Sequence, residues 1–154
     1  MIGAMANTYA SINIHYVFST KNREPVLFGE TRERLWAFMG GIARENKMKA
    51  QAIGGVADHI HLLIALPPAL SISKAVQIIK GSSSLWIHQT FPKLRGFAWQ
   101  EGYGAFTVSV SHLKETIAYI NNQEEHHRTK GFKEEYLAFL KRHAIDYQEK
   151  YLWD

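Results

Sequence analysis

Asp58-His59-Ile60-His61-Leu62-Leu63-Ile64 alternates two sets of side chains: Ile60, Leu62 and Ile64, continued by Leu66, form one, and His59 and His61 belong to the other. On a strand, side chains two apart leave the same face. The apolar set therefore marks the packed side of a sheet, and the two imidazoles project together from the opposite side. Pro67-Pro68 stops the strand, since proline has no N–H for the ladder. Neighbouring imidazoles at this spacing can share one divalent ion. A bare His-x-His on a half-exposed sheet is, however, more often a pair of surface histidines.

Upstream, Lys49 to Val56 is predicted as a second strand, with Gly54-Gly55 ending it or forming a bulge. Leu35, Phe38, Met39 and Ile42 recur at helical spacing within Glu30 to Asn46. Ile12, Ile14, Tyr16 and Phe18 alternate within Ser11 to Thr20, the first strand, and a polar loop with Pro25 covers Lys21 to Phe28. Downstream, Ser71 caps a helix running to Thr90 with Ile72, Val76, Ile79, Leu85 and Trp86 on it. Phe91 to Gln100 is irregular, and Tyr103 to Val110 alternates as a fourth strand. Ser111 then caps a helix to about His127, and after Gly131 a final helix spans Lys133 to His143, with Tyr136, Phe139 and Leu140 on one side.

Strand, helix, strand, strand, helix, strand is the order of an α+β fold, a ferredoxin-like or RRM-like antiparallel sheet with two crossover helices on one face. The appended C-terminal helices would cover the other face or reach a partner. With neither an internal repeat nor a linker, residues 1–154 read as one domain, and residues 1–8 read as a flexible leader of small residues.

The 154 residues are 46% apolar, which suits a globular core and sets disorder aside. Cysteine is absent, so disulfides and thiolate metal sites are excluded. No signal peptide is visible, and the longest apolar stretch, Ile60 to Leu70, is too short to span a bilayer. A net charge of +4 favours a polyanionic partner without establishing one. Nineteen aromatic rings (4 Trp, 7 Tyr and 8 Phe) offer surfaces for unpaired bases, although most such rings belong to cores.

Two histidines do not complete a metal site. In Tyr119-Ile120-Asn121-Asn122-Gln123, residues four apart share a helix face and present a phenol beside a carboxamide. A phenol is a weak nucleophile at neutral pH, and a divalent cation helps by polarising the phosphate under attack. Gln123 offers a neutral oxygen ligand to join the imidazoles. Taken singly, an amphipathic-helix tyrosine followed by a solvated glutamine explains the same pattern.

Together, these segments resemble the insertion-sequence 200/605 type of transposase, the single-tyrosine branch of the HUH nuclease superfamily. The matching pieces run in order: Asp58-His59-Ile60-His61-Leu62-Leu63, Lys80-Gly81, Trp99-Gln100-Glu101-Gly102-Tyr103, Phe106-Thr107-Val108-Ser109, Tyr119 to Gln123, His126-His127, and Phe132 through Glu135-Tyr136 to Phe139-Leu140. The likeness extends from about Tyr9 to Trp153. It implies that His59, His61 and Gln123 bind Mg²⁺ or Mn²⁺ and that Tyr119 attacks a DNA phosphate, leaving a 5′-phosphotyrosine and a free 3′-hydroxyl. It also implies single-stranded DNA with hairpin ends as substrate, a homodimer whose subunits share the active site, and a cytoplasmic, nucleoid-associated setting in a prokaryote.

Lys80, Arg95, Lys21 and Arg23 are candidate DNA contacts, although a solvated charge is the commoner reading of each taken singly. Asp58, His126 and His127 are candidates for supporting the ligands from behind, and His15 is a neighbour of the same face. Three other functions compete. One is a domesticated single-tyrosine nuclease acting on repeated extragenic palindromes. Another is a non-catalytic nucleic-acid binder, which would expose aromatic rings on the central strands. A metal hydrolase using water would need carboxylates near the histidines, where the local sequence offers only Asp58.

Overall fold

The computed structural model describes residues 8–153; the leader expected over residues 1–8 lies, apart from Thr8, outside them. Four strands, β1 (Asn13–Ser19), β2 (Lys49–Val56), β3 (His59–Ala65) and β4 (Gly104–Thr107), form one antiparallel sheet in the order β2-β3-β1-β4. Helices α1 (Gly29–Glu45) and α2 (Ile72–Thr90) make the two crossovers. The expected ferredoxin-like α+β fold is what forms.

The alternation in β1 and β3 decides what each face meets. Ile14, Tyr16, Phe18, Ile60, Leu62 and Ile64 all point into one core, closed by Leu35 and Met39 of α1 and by Val76, Ile79 and Ile87 of α2. The Tyr16 hydroxyl donates to the Ile72 carbonyl at 2.8 Å, and Trp99 Nε1 donates to Ser83 Oγ at 3.0 Å, so both polar tips in this layer are satisfied. Ser71 caps α2 as expected, accepting from Lys74 N.

The second face is covered by the C-terminal helices α3 (Leu113–Asn121), α4 (Gln123–His126), α5 (Phe132–Arg142) and α6 (Glu149–Leu152). Ile120 of α3 packs on Ala52 and Leu63. Phe132, Tyr136, Phe139 and Leu140 of α5 pack with Val17 and Phe106. This covering buries His59 and His61 completely, so neither is the surface histidine that the bare motif allowed. It also leaves no open face of the kind the non-catalytic sheet-binding alternative requires.

Three local expectations need correction. The fourth strand ends at Thr107, and Val110 begins a short 3₁₀ turn that exposes its side chain. The helix expected from Ser111 to His127 starts at Leu113 without a side-chain cap and breaks at Asn122 into α3 and α4. Gly54-Gly55 neither ends β2 nor bulges; the register shift lies between Ala50 and Ala52. Gly54 is instead where α3 comes closest, because a Cβ there would sit 2.2 Å from the Ile120 carbonyl oxygen.

Candidate metal and tyrosine site

β3 aims His59 and His61 at the covered side of the sheet, where Val56 and Gly54 of β2 and Ser19 and Val17 of β1 flank them. The break at Asn122 turns Gln123 inward, and it is buried. His127 follows α4, and Glu135 comes from the first turns of α5. Glu135 Oε1 lies 3.3 Å from His59 Nε2, 3.0 Å from His61 Nε2 and 3.1 Å from His127 Nε2. Gln123 Oε1 stands 3.3 Å from His59 Nε2 and 3.1 Å from His127 Nε2.

The outer contacts decide which ring nitrogens face the centre as lone pairs. His59 Nδ1 meets the Asp58 carboxylate at 2.7 Å and must donate to it. His127 Nδ1 meets the Lys130 carbonyl and must donate there. His61 Nδ1 lies 2.8 Å from Nε2 of His15, whose pKa burial lowers to about 3. His15 therefore stays neutral, and in the tautomer with its proton on Nδ1 its Nε2 accepts from His61 Nδ1. Gln123 Nε2 donates back to the Tyr119 carbonyl at 3.3 Å, which turns its oxygen inward. Three imidazole Nε2 atoms, a carboxylate oxygen and a carboxamide oxygen thus converge, and once the Nε2 protons that Glu135 accepts are shed all five are acceptors. Such a constellation fits a cation, and orientation of the imidazoles by an outer acceptor is the usual support of a metal-binding histidine.

Distances agree. Ligand bonds of about 2.1 Å would put neighbouring ligand atoms about 3.0 Å apart in an octahedron and about 3.4 Å apart in a tetrahedron. Glu135 Oε1 stands at this spacing from all three imidazoles, while the four candidate ligand atoms of His59, His61, His127 and Glu135 lie within 4.8 Å of one another, so the rings would close in slightly around an ion.

Electrostatics follow the same geometry. Burial resists ionisation of Glu135, but its contacts with His127, His59 and His61 outweigh that and hold the carboxyl far below its ordinary range. Burial also opposes charge on His59, yet Asp58 and Glu135 raise its pKa. Burial dominates at His61 and lowers it. The Tyr119 hydroxyl donates to Glu135 Oε2, and burial together with that carboxylate pushes the phenol well above its usual value. Glu135 thus touches the imidazole cluster with one oxygen and the tyrosine with the other.

The remaining candidates fall elsewhere. His126 packs edge-on against the Tyr119 ring at 4.3 Å and orients it from outside. Lys80 Nζ donates to the carbonyls of Gln100, Glu101 and Gly102, on the side of the sheet that carries Phe18. Its ammonium closes a loop. Arg23 donates to the Trp153 carbonyl, while Lys21, at the start of a 3₁₀ turn, and Arg95, in the turn after Leu94, are exposed. Glu135 was not anticipated as a site residue. A signal existed: Phe132, Glu135, Tyr136, Phe139 and Leu140 lie on one face of α5, and a carboxylate inside an apolar stripe needs a partner.

The family described as "Transposase IS200 like" matches residues 8–123, and the chain belongs to it. The transposase for insertion sequence element IS200 from Salmonella typhimurium is 30% identical over 128 residues, covering 79% of this chain and 83% of that protein. A putative transposase from Deinococcus radiodurans superposes with a TM-score of 0.64 at 29% identity, covering 76% of this chain and 94% of that one. A REP-associated tyrosine transposase bound to a REP hairpin superposes at a TM-score of 0.55 and 16% identity, covering 74% and 67%, and shows the same fold. Family membership carries a DNA-cleaving and strand-transfer role. Among the described residues no helix is long and apolar enough to cross a membrane.

Proposed function

We propose that this chain cuts and rejoins single-stranded DNA at the ends of an insertion element, through a 5′-phosphotyrosine linkage on Tyr119. The observation that supports this most directly is the Glu135 bridge, which sets a tyrosine hydroxyl beside a cluster of acceptors suited to a divalent cation. His59, His61 and Gln123 would hold the ion as the resemblance implies, and His127 and Glu135 add two donors to that set. An imidazole-rich set with one carboxylate suits Mn²⁺ better than Mg²⁺, which favours oxygen ligands. The ion's contribution when bound is to polarise the scissile phosphate and stabilise charge on the leaving oxygen.

The chain's own residues do the rest. Tyr119 forms its bond to phosphorus as the bond to the 3′-oxygen breaks. The phenolic proton leaves along its hydrogen bond to Glu135 Oε2 and passes on to solvent, because a carboxyl held far below its ordinary range does not retain it, and the departing 3′-oxygen takes a proton from solvent. Attack by another 3′-hydroxyl reverses the sequence and restores a phosphodiester. A hairpin at the element's end is part of the proposal, supported by the REP hairpin held by a protein of the same fold. So are a homodimer and a cytoplasmic setting, both resting on the family. Within one chain Tyr119 lies against His61 and Gln123 against His59; sharing of this site between the subunits of a homodimer is part of the proposal and rests on the family.

Incubating the protein with labelled single-stranded element ends and Mn²⁺ tests this reading. A denaturant-stable, protease-sensitive protein–DNA adduct is expected. Glu135 supplies the carboxylate that a water-using hydrolase needs, so cleavage without any adduct would replace the proposal with that one. Processing of scattered palindromes would use the same residues. It is distinguished by whether hairpin ends flank the gene.

A further inference from the structure

A cavity of about 530 Å³ opens on the side of Tyr119 away from the imidazole cluster, between β4, the turn into α3 and the C-terminal end of α5. None of His59, His61, Gln123, His127 or Glu135 lines it; Tyr119 and His15, which is hydrogen-bonded to His61, are the walls it shares with them. We propose that this cavity seats one unpaired nucleotide of the DNA strand, the one adjoining the phosphate that Tyr119 attacks. The proposal rests on the tyrosine-nuclease reading above.

The lining chemistry commits to that occupant. Phe106 and Phe139 stack at 5.2 Å and 19°, and His143 lies 4.6 Å from Phe106 at 31°. His143 Nδ1 donates to the Phe139 carbonyl at 2.9 Å, which fixes its ring on this wall. Phe106 and Phe139 are buried and His143 is half-buried, so the wall ends in a partly open ring. Unpaired bases stack on such surfaces whatever their identity. Arg142 is exposed at the rim over Phe139, at 5.4 Å, where its guanidinium can meet a backbone phosphate. Glu115, the carboxylate in the lining, repels phosphate but accepts from an exocyclic amino group. The volume falls in the range of small-ligand sites, about 300–1,000 Å³, and suits a nucleotide rather than a duplex. A base held there would keep the adjoining phosphate against the phenol.

The test measures binding of a fluorescein-labelled, mixed-sequence single-stranded 12-mer by anisotropy, in EDTA, with Mn²⁺ affinity determined separately by calorimetry. Thr116→Trp, which fills the cavity, should weaken single-strand binding about tenfold. Arg142→Gln, an exposed change with little risk to folding, should weaken it several-fold and lower the salt slope by about 0.7. Mn²⁺ affinity should stay at the wild-type value in both. Wild-type single-strand affinity in both variants overturns the inference, and so does a loss confined to hairpin stems. No single-strand binding by the wild-type protein would instead remove the tyrosine-nuclease reading beneath it.

Discussion

Gly54→Ala tests how tightly the tyrosine helix is set against the sheet. The added Cβ would stand 2.2 Å from the Ile120 carbonyl oxygen and 2.9 Å from Ile120 Cγ2. Ordinary contact begins at 3.4 Å, so about 1.2 Å must be gained, the difference between 3.4 and 2.2 Å. The obstacle is backbone, and no rotamer change relieves it. Either α3 lifts, carrying Tyr119, or β2 retreats, and Gly54 is the register partner of His61. Both responses change the separation of the phenol from the imidazoles. A misplacement of about 1 Å costs on the order of 100-fold in rate. Overpacking of this size costs about 1–3 kcal/mol, a drop of about 2–12 °C in melting temperature for a chain of this length. Gly40→Ala is the matched control: its nearest neighbour would be Ile53 Cδ1 at 3.9 Å, and alanine suits the interior of α1. Adduct formation would be followed by gel under single-turnover conditions, with circular dichroism confirming the fold. A Gly54→Ala protein forming adducts within about threefold of wild type would refute close packing of α3 as the feature that positions the tyrosine.

Other perturbations separate the roles around Glu135. Tyr119→Phe should abolish covalent adducts while leaving single-strand binding intact; any persisting adduct displaces Tyr119 as nucleophile. Asp58→Ala removes the acceptor that orients His59 and should weaken Mn²⁺ binding by about 10–100-fold, measured by calorimetry; unchanged affinity would detach Asp58 from the site. The metal-free protein should lose stability as pH falls below about 6.5. His15 takes a proton near its ordinary value when unfolded but only at about 3 when folded, so the unfolded state binds more protons across that window. The slope from this one group is at most about 1.4 kcal/mol per pH unit. His15→Gln keeps an acceptor for His61 and should remove that share in urea titrations at pH 7 and 5; an unchanged slope would assign the acid sensitivity elsewhere.

The sheet was legible in the sequence because period-two alternation in Ile14-Tyr16-Phe18 and Ile60-Leu62-Ile64 reports directly which residues one core must bury. His59 and His61 were legible as a pair for the same reason. What the second face meets was not: α3 and α5 reach His59 and His61 from more than fifty residues further along the chain, and local periodicity carries no register for such an approach. Gly54 illustrates the loss. In sequence it is a strand breaker, whereas its absent side chain makes room for the Ile120 carbonyl. Glu135 illustrates the opposite case, since its place in the stripe from Phe132 to Leu140 marked it as buried without saying against what.

That buried carboxylate changes what the histidine pair is. With His59 and His61 alone, the sheet would offer two neutral ligands and no charge, and affinity for a dication would rest on imidazole and carboxamide donors. Glu135 adds an anion fixed by α5, His127 adds a third nitrogen, and the Tyr119 hydroxyl is tied to the same carboxylate. In the proposed mechanism a cation held by the cluster would draw electron density from the Glu135 carboxylate and weaken it as the acceptor of the phenolic proton. Full metal occupancy and fastest proton transfer therefore pull Glu135 in opposite directions. Glu135→Gln removes both roles at once: a carboxamide lacks both the charge and the basicity, so Mn²⁺ affinity and adduct formation should fall together. Glu135→Asp keeps the charge but is one methylene shorter. It should retain more of the Mn²⁺ affinity than of the adduct rate, because flexible side chains around an ion adjust more readily than the phenol's path to phosphorus. Equal losses in Glu135→Asp would show that Glu135 serves the ion alone.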